Sequence, residues 1–230
     1  MSQDHFSPDD FGGTVRLFPL PNLVLFPHVA QPLHIFEPRY RELMADALAD
    51  DRLIAMALLR PGWEEEYHKR PPIHDMVCLG KIRQEASLPD GRFNLLLQGI
   101  SRARVVEELD TDTMYRMARV ELCPDEPVAS PSEEEALRSR LADAVTPFFS
   151  SHPPAMDQLR GLIASPLALG SLCDIFCFAL PLDTEAKQRL LDECDIERRI
   201  LVLLGSLEGK TPPVAQVLPR RRFPPEFSPN

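Results

Sequence analysis

The sequence predicts an α+β fold, with the strands first and the helices after them. Three observations carry this. Between Val15 and Leu122 the apolar residues come in short runs or alternate with period two. Between Leu137 and Leu207 they recur at helical spacing. The pattern changes once, at CPDEPVASP (123–131). Strands and helices segregated along a chain point to α+β rather than to alternating α/β.

The first half opens on LFPLPNLVLFPHVAQPLHIFEPRY (17–40), apolar but broken by Pro19, Pro21, Pro27, Pro32 and Pro38. Such proline density excludes a helix and any long uninterrupted central strand. Val15–Phe18 and Leu23–Phe26 therefore read as short extended pieces. Pro38 fits the first position of a helix, with Tyr40, Leu43, Met44, Ala47 and Leu48 on one face. Leu53–Leu59 is continuously apolar, as in a strand buried on both faces. Met76–Arg83 is a further strand. Pro89-Asp90-Gly91 marks a turn, so Lys81–Gln98 reads as a hairpin. Arg102–Leu109 and Tyr115–Leu122 alternate as half-buried strands do.

The second half reads as helices. Ser132-x-x-Glu135 has the form of a capping box, ahead of the stripe Leu137, Leu141, Val145 and Phe148. A short helix covers Met156–Ala164. Ser165-Pro166 starts another, with Leu169, Leu172, Cys173, Phe176 and Leu180 inward. Asp183 or Thr184 starts the next, and Asp195 the last, with Ile196, Ile200, Leu203, Leu204 and Leu207 inward. The expected organisation is a disordered lead (1–13), a β-rich subdomain (14–123), a helical bundle (131–209) and a Pro/Arg-rich tail (210–230).

Charge narrows the function classes. The formal net charge of -10 repels phosphate backbones, so nucleic-acid binding is disfavoured. A strip of Arg102, Arg104, Arg116 and Arg119 would be its best footing. No leader-like segment precedes Val15, and no apolar run reaches the ~20 residues of a spanning helix, so a cytoplasmic location is expected and no membrane is implied. Five cysteines at irregular spacing suggest reduced thiols.

Chemical motifs are few. GSLEGKT (205–211) is one residue short of a phosphate-binding loop, and a helix precedes it where a strand is needed. Cys173 and Cys177 lie one turn apart without a second ligand pair, which suits core packing better than zinc. His68 and His74 flank a Pro-rich loop beside Glu64, Glu65 and Glu66 without a catalytic pattern. His28 and His34 stand equally isolated. No catalytic residue, metal ligand or cofactor site is assigned. Trp63, the sole tryptophan, is the candidate protein contact, because Trp is enriched at binding hot spots.

Pro19-Leu20, Val24, Phe26-Pro27 and Pro32-Leu33 resemble the opening pattern of the LON N-terminal domain, the substrate-recognition module of Lon (ATP-dependent protease La). The resemblance continues through Val77–Gly80, Leu88–Gly91 and Leu97–Arg104. In the helical half it takes in FALPLDTEAKQRLLDECDIERRILVLLGSLE (178–208). It implies a PUA-like β pseudobarrel followed by a helical bundle. Lon continues into AAA+ ATPase and Ser–Lys protease modules; the resemblance here stops before them, and the expectation is a function without ATP hydrolysis or peptide-bond cleavage. HIFEPRY (34–40) looks more like stand-alone LON-domain proteins. The expectation is a non-enzymatic module binding unfolded or specific client polypeptides, an adaptor or regulator in proteolysis, with a AAA+ protease as candidate partner. Such binding requires an apolar groove or an open sheet edge. The alternative is a PUA-like nucleic-acid-binding protein.

Overall fold

The computed structural model describes residues 6–66, 69–150 and 153–210. The chain divides into two units, the first ending at Cys123 and the second beginning at Pro124.

The first unit is built from β1 (Thr14–Leu20), β2 (Ala30–Ile35), α1 (Pro38–Ala49), β3 (Leu53–Leu58), β4 (Met76–Ser87), β5 (Phe93–Leu109) and β6 (Arg116–Cys123). The strand order is β2-β5-β4-β3-β1-β6, and β6 pairs again with β5. Five strands thus close into a barrel, and β2 extends it along the first half of β5. β1 and β3 run parallel; the other pairings are antiparallel.

Closure depends on β5. It was expected as two pieces, Phe93–Gln98 and Arg102–Leu109, but runs as one strand of 17 residues. Register shifts at Leu79/Gly80 and Ile82/Gln84 on β4, and at Val105/Glu107 on β5, bend the sheet. Bulges of this kind increase local twist and let one long strand serve two sets of partners. Inside the barrel, Leu17, Leu53, Val77, Leu79 and Val120 pack with Ala55, Ala57, Ala103 and Ala118. The alanines fit the narrow lumen that five strands enclose.

β3 is buried at every position, as its continuous apolar run requires. One face enters the barrel cluster. Met56, on the other face, pairs with Phe18, whose ring meets Tyr40 of α1 edge-on at 4.3 Å. Pro38 occupies the first turn of α1, where its missing N–H costs nothing. The turn joining β4 to β5 closes through Leu88 N–H donating to Arg92 O (2.8 Å).

Three further expectations in this unit need correcting. Leu23–Phe26 joins no strand ladder, although Val24, Leu25 and Phe26 are buried. That segment is held by side-chain burial and by two crossing bonds, His28 N–H to Gly99 O (2.9 Å) and Gly99 N–H to Val29 O (2.8 Å). The approach is so close that a Cβ at Gly99 would stand 2.1 Å from the Phe26 carbonyl oxygen. Second, β2 crosses Pro32, so this proline does not break its strand. Third, residues 6–13 are not an unstructured lead. Pro8–Asp10 forms a 3-10 turn, and Phe6 and Phe11 pack against the barrel cluster.

The second unit contains α2 (Pro131–Phe149), α3 (Pro153–Ile163), α4 (Leu169–Ala179), α5 (Thr184–Asp192) and α6 (Ile196–Leu207). Leu137, Leu141 and Val145 of α2, Leu172 and Phe176 of α4, Leu190 of α5, and Ile200 and Leu203 of α6 are buried. Asp183 and Asp195 cap α5 and α6, accepting from Ala186 N–H (2.7 Å) and Arg198 N–H (3.0 Å). The cap of α2 is Ser130, accepting from Glu133 N–H, two residues before the expected Ser132. Pro131 then takes the first helical position, which suits its fixed φ. α4 starts at Leu169 rather than at Ser165-Pro166, with no side-chain cap.

A buried ionic cluster joins the start of this unit to α4 and α6. Arg199 is 0% exposed and grips Asp125 with both terminal nitrogens (2.8 and 2.7 Å). Its Nε lies 3.3 Å from Asp174 Oδ1, and Nη1 also donates to Glu193 O (2.9 Å). Burial alone would lower the guanidinium pKa, but the Asp125 bonds and the Asp174 charge hold it above the ordinary arginine value.

Candidate ligand-binding site

Register places the site. Leu20 of β1 pairs with Leu58 of β3, and Leu17 pairs with Arg116 of β6. The ends of β1 and β3 and the start of β6 therefore meet at one end of the barrel. The start of α1 and the segment around Lys69–Pro71 join them. A cavity of about 480 Å³ opens there.

Its apolar lining includes Pro19, Leu59, Pro71 and Met114. Met114 is 57% exposed, far more than a core methionine. Tyr40 anchors the floor, its hydroxyl donating to Pro19 O (3.0 Å) and its ring lying under the Arg39 guanidinium at 4.6 Å. The Tyr115 hydroxyl donates to Asp46 (2.7 Å). Burial, then the Asp46 bond, pushes the Tyr115 pKa up to about 12, so it stays protonated at neutral pH.

Every charged residue lining the cavity is cationic: Arg39, Lys69, Arg70 and Arg116. They differ in commitment. Arg39 pairs with Glu37 (2.9 Å). Arg116 pairs with Glu108 through Nε (2.8 Å) and Nη2, and donates to Pro71 O (2.8 Å), fixing that loop. Lys69 and Arg70 are exposed and form no ion pair among the described residues.

Trp63 lies in a 3-10 turn, half-buried against the barrel cluster, within the loop that also supplies Lys69 and Arg70. The arginine strip does not form a basic surface. Arg102 is buried, Arg116 is held by Glu108 and Arg119 by Glu107, which leaves Arg104 exposed by itself. The edge strand β2 offers a poor template for an added strand. Pro32 has no N–H, and its carbonyl accepts from the Gln31 side-chain amide (2.7 Å).

His28, His34 and His74 do not line the cavity; His68 lies outside the described residues. Cys173 and Cys177 are buried, their sulfurs 3.8 Å apart. Burial, with the Cys173 contact, pushes the Cys177 thiol well above the usual range, so it is a poor nucleophile. Among the described residues no group of three or more His, Cys, Asp or Glu could hold a metal ion. Gly205 and Leu207 belong to α6, and Lys210 N–H bonds back to Leu207 O at the helix end (3.1 Å). Thr211 and the tail beyond it lie outside the described residues. No helix among the described residues is long and apolar enough to cross a membrane.

Sequence reasoning did not find the cavity. Its cations come from α1, β6 and the loop between β3 and β4, and Met114 carries no pattern that marks it.

Comparison with known proteins assigns the fold. The chain is 29% identical over 205 residues to Lon protease 2 of Myxococcus xanthus, covering 88% of this chain and 24% of that protein. It is 28% identical over 196 residues to Lon protease of Heliobacterium modesticaldum, covering 81% and 23%. The chain thus spans about a quarter of the length of these relatives. Among solved structures, a Lon N-terminal domain protein from Xanthomonas campestris superposes with a TM-score of 0.60 at 24% identity, covering 84% of this chain and 97% of that one. The N-terminal domain of Mycobacterium avium complex Lon protease gives 0.66 at 18%, covering 85% and 98%. Both establish the fold alone. Residues 14–208 match the family described as the ATP-dependent protease La (LON) substrate-binding domain, and the chain belongs to that family.

Proposed function

We propose that this protein is a non-catalytic module that binds polypeptides, with the cavity at the barrel end as its contact site. The family match over residues 14–208 carries the reading. The cavity supports it: apolar residues with an exposed methionine offer the adaptable surface that varied side chains need. Trp63, on the same loop as Lys69 and Arg70, is proposed as an additional contact. By the same reading the protein serves in the cytoplasm as an adaptor or regulator in proteolysis, with a AAA+ protease as partner.

The test is retention of a reduced, unfolded client protein by the immobilised full chain, against the same client in its native state. Preferential retention of the unfolded form supports the reading, and retention of neither removes it. Co-purification of a AAA+ protease would support the adaptor role. Nucleic acid is the weaker alternative, because the buried Arg102 and the carboxylate-paired Arg116 and Arg119 interrupt the arginine strip among the described residues.

A further inference from the structure

We propose that the cavity selects polypeptide segments in which an acidic side chain stands beside a large apolar one. The carboxylate would pair with Lys69 and Arg70, and the apolar side chain would lie on Leu59, Pro71 and Met114. This rests on the polypeptide-binding reading and names the ligand class for the same site.

Charge complementarity carries the inference. The chain has a net charge of -10, yet the charged residues lining this cavity are all cationic. Four carboxylates are bonded to lining residues: Glu37 to Arg39, Glu108 to Arg116, Asp46 to the Tyr115 hydroxyl and Glu42 to Met114 N–H (3.2 Å). Lys69 and Arg70 line the cavity, are exposed and form no ion pair among the described residues, so their donors are available. An Arg and a Lys side by side suit a carboxylate, the first by its planar fork and the second as a point charge.

The surroundings limit the size of the anion. A nucleic-acid backbone needs cations along several phosphates. Here two of the four lining cations, Arg39 and Arg116, are already paired with Glu37 and Glu108, which leaves Lys69 and Arg70 for an anion and too few free cations for a longer polyanion. A ligand with one or two carboxylates and an apolar body suits that number. The apolar lining also gives a reason for selectivity. A lysine in place of the acid would bring like charges together at the mouth, whereas the neutral amide would lose only the ion pair.

The experiment uses the full chain and three fluorescent peptides with the same phenylalanine and leucine content, carrying glutamate, glutamine or lysine between them. Polarisation at low salt is expected to rank them glutamate, glutamine, lysine, with about a tenfold step between the first two. Added salt should narrow that step. The double variant Lys69→Glu/Arg70→Glu should reverse the ranking. Met114→Ala should weaken the glutamate and glutamine peptides together and keep their order.

Equal affinity for the glutamate and glutamine peptides overturns the acidic preference while the polypeptide-binding reading stands. An unchanged ranking in the double variant moves the preference to another surface and overturns this assignment. No binding of any peptide, with no retention of an unfolded client, overturns the underlying reading instead. If an oligouridylate displaces the glutamate peptide at lower concentration and the double variant loses that RNA, the site is one for nucleic acid and the proposal fails.

Discussion

In the helical unit Arg199 is fully buried and holds Asp125 and Asp174; at the barrel end Arg70 is exposed beside Lys69 and pairs with no carboxylate among the described residues. The same side-chain chemistry serves two purposes, and burial decides which. A charge removed from water must have partners inside the protein, or it destabilises the fold by several kcal/mol. Arg199 has them, and they tie residue 125 to α4 and α6. A charge left in water needs no partner, and an exposed ion pair contributes little. Lys69 and Arg70 can therefore remain uncommitted without harming the fold. Buried cations with two carboxylates mark architecture, and exposed cations beside an apolar cavity mark a surface available to a ligand.

Substitutions should separate the two regions, starting with the largest effect. Arg199→Met takes the buried arginine away from two carboxylates and should destabilise by about 3–5 kcal/mol, read as a lower urea midpoint at an unchanged slope. Gly170→Ala is next. A Cβ there would stand 2.2 Å from Asp125 Oδ2. Helix propensity alone favours Ala over Gly by about 1 kcal/mol. Crowding against a carboxylate already fixed by Arg199 should outweigh that, for a net loss of about 1–2 kcal/mol. A gain in stability would show that Asp125 is not seated against α4.

Asp183→Ala removes a cap in the helical unit outside the ionic cluster and should cost about 1 kcal/mol at neutral pH. The Ala186 N–H bond lowers the Asp183 pKa below its ordinary 3.8. The contribution is therefore present above the unfolded pKa and lost as pH falls through the folded one. Wild type and variant should converge in acid; a gap that persists there argues against the cap.

At the barrel end, Tyr115 should titrate near its raised value of about 12, against an ordinary 10.0. Its contribution to stability is complete below the unfolded pKa and is lost as pH rises through the folded one. Absorbance titration should show a late tyrosinate step that Tyr115→Phe removes. The smallest stability effect belongs to Lys69→Glu/Arg70→Glu, within about 0.5 kcal/mol, although the same variant should reorder peptide binding. A large loss of stability there would mean these cations are structural, and the contrast with Arg199 would collapse.

Local signals were legible where one short segment contains the whole cause. Pro38 opens α1 because its ring and missing N–H suit the first turn. Asp183 and Asp195 cap their helices because a carboxylate before an apolar stripe meets the free N–H groups. The α2 start was misread by two residues because Ser130-x-x-Glu133 and Ser132-x-x-Glu135 offer overlapping boxes. Pro131 favours the first of them. Leu23–Phe26 was misread for another reason. Apolar content records burial, but ladder pairing depends on what lies alongside, and there the chain crosses β5 at Gly99 instead of joining it.

By itself the sequence determined the order of strands then helices, the family, the positions of most caps and turns, and the buried faces. These follow from periodicity, dihedral preference and side-chain polarity, which act over a few residues. Tertiary structure alone decided that β5 runs unbroken and closes the barrel, that Arg199 finds Asp125 and Asp174, and that Arg39, Lys69, Arg70 and Arg116 surround one cavity. Each of those depends on how segments far apart in the chain come together. In the barrel a one-residue slip would turn every side chain of a strand to its opposite face, and in the helical unit Arg199 meets Asp125 and Asp174 only once α4 and α6 are packed, so such convergence is a property of the assembled fold and of no single stretch of sequence.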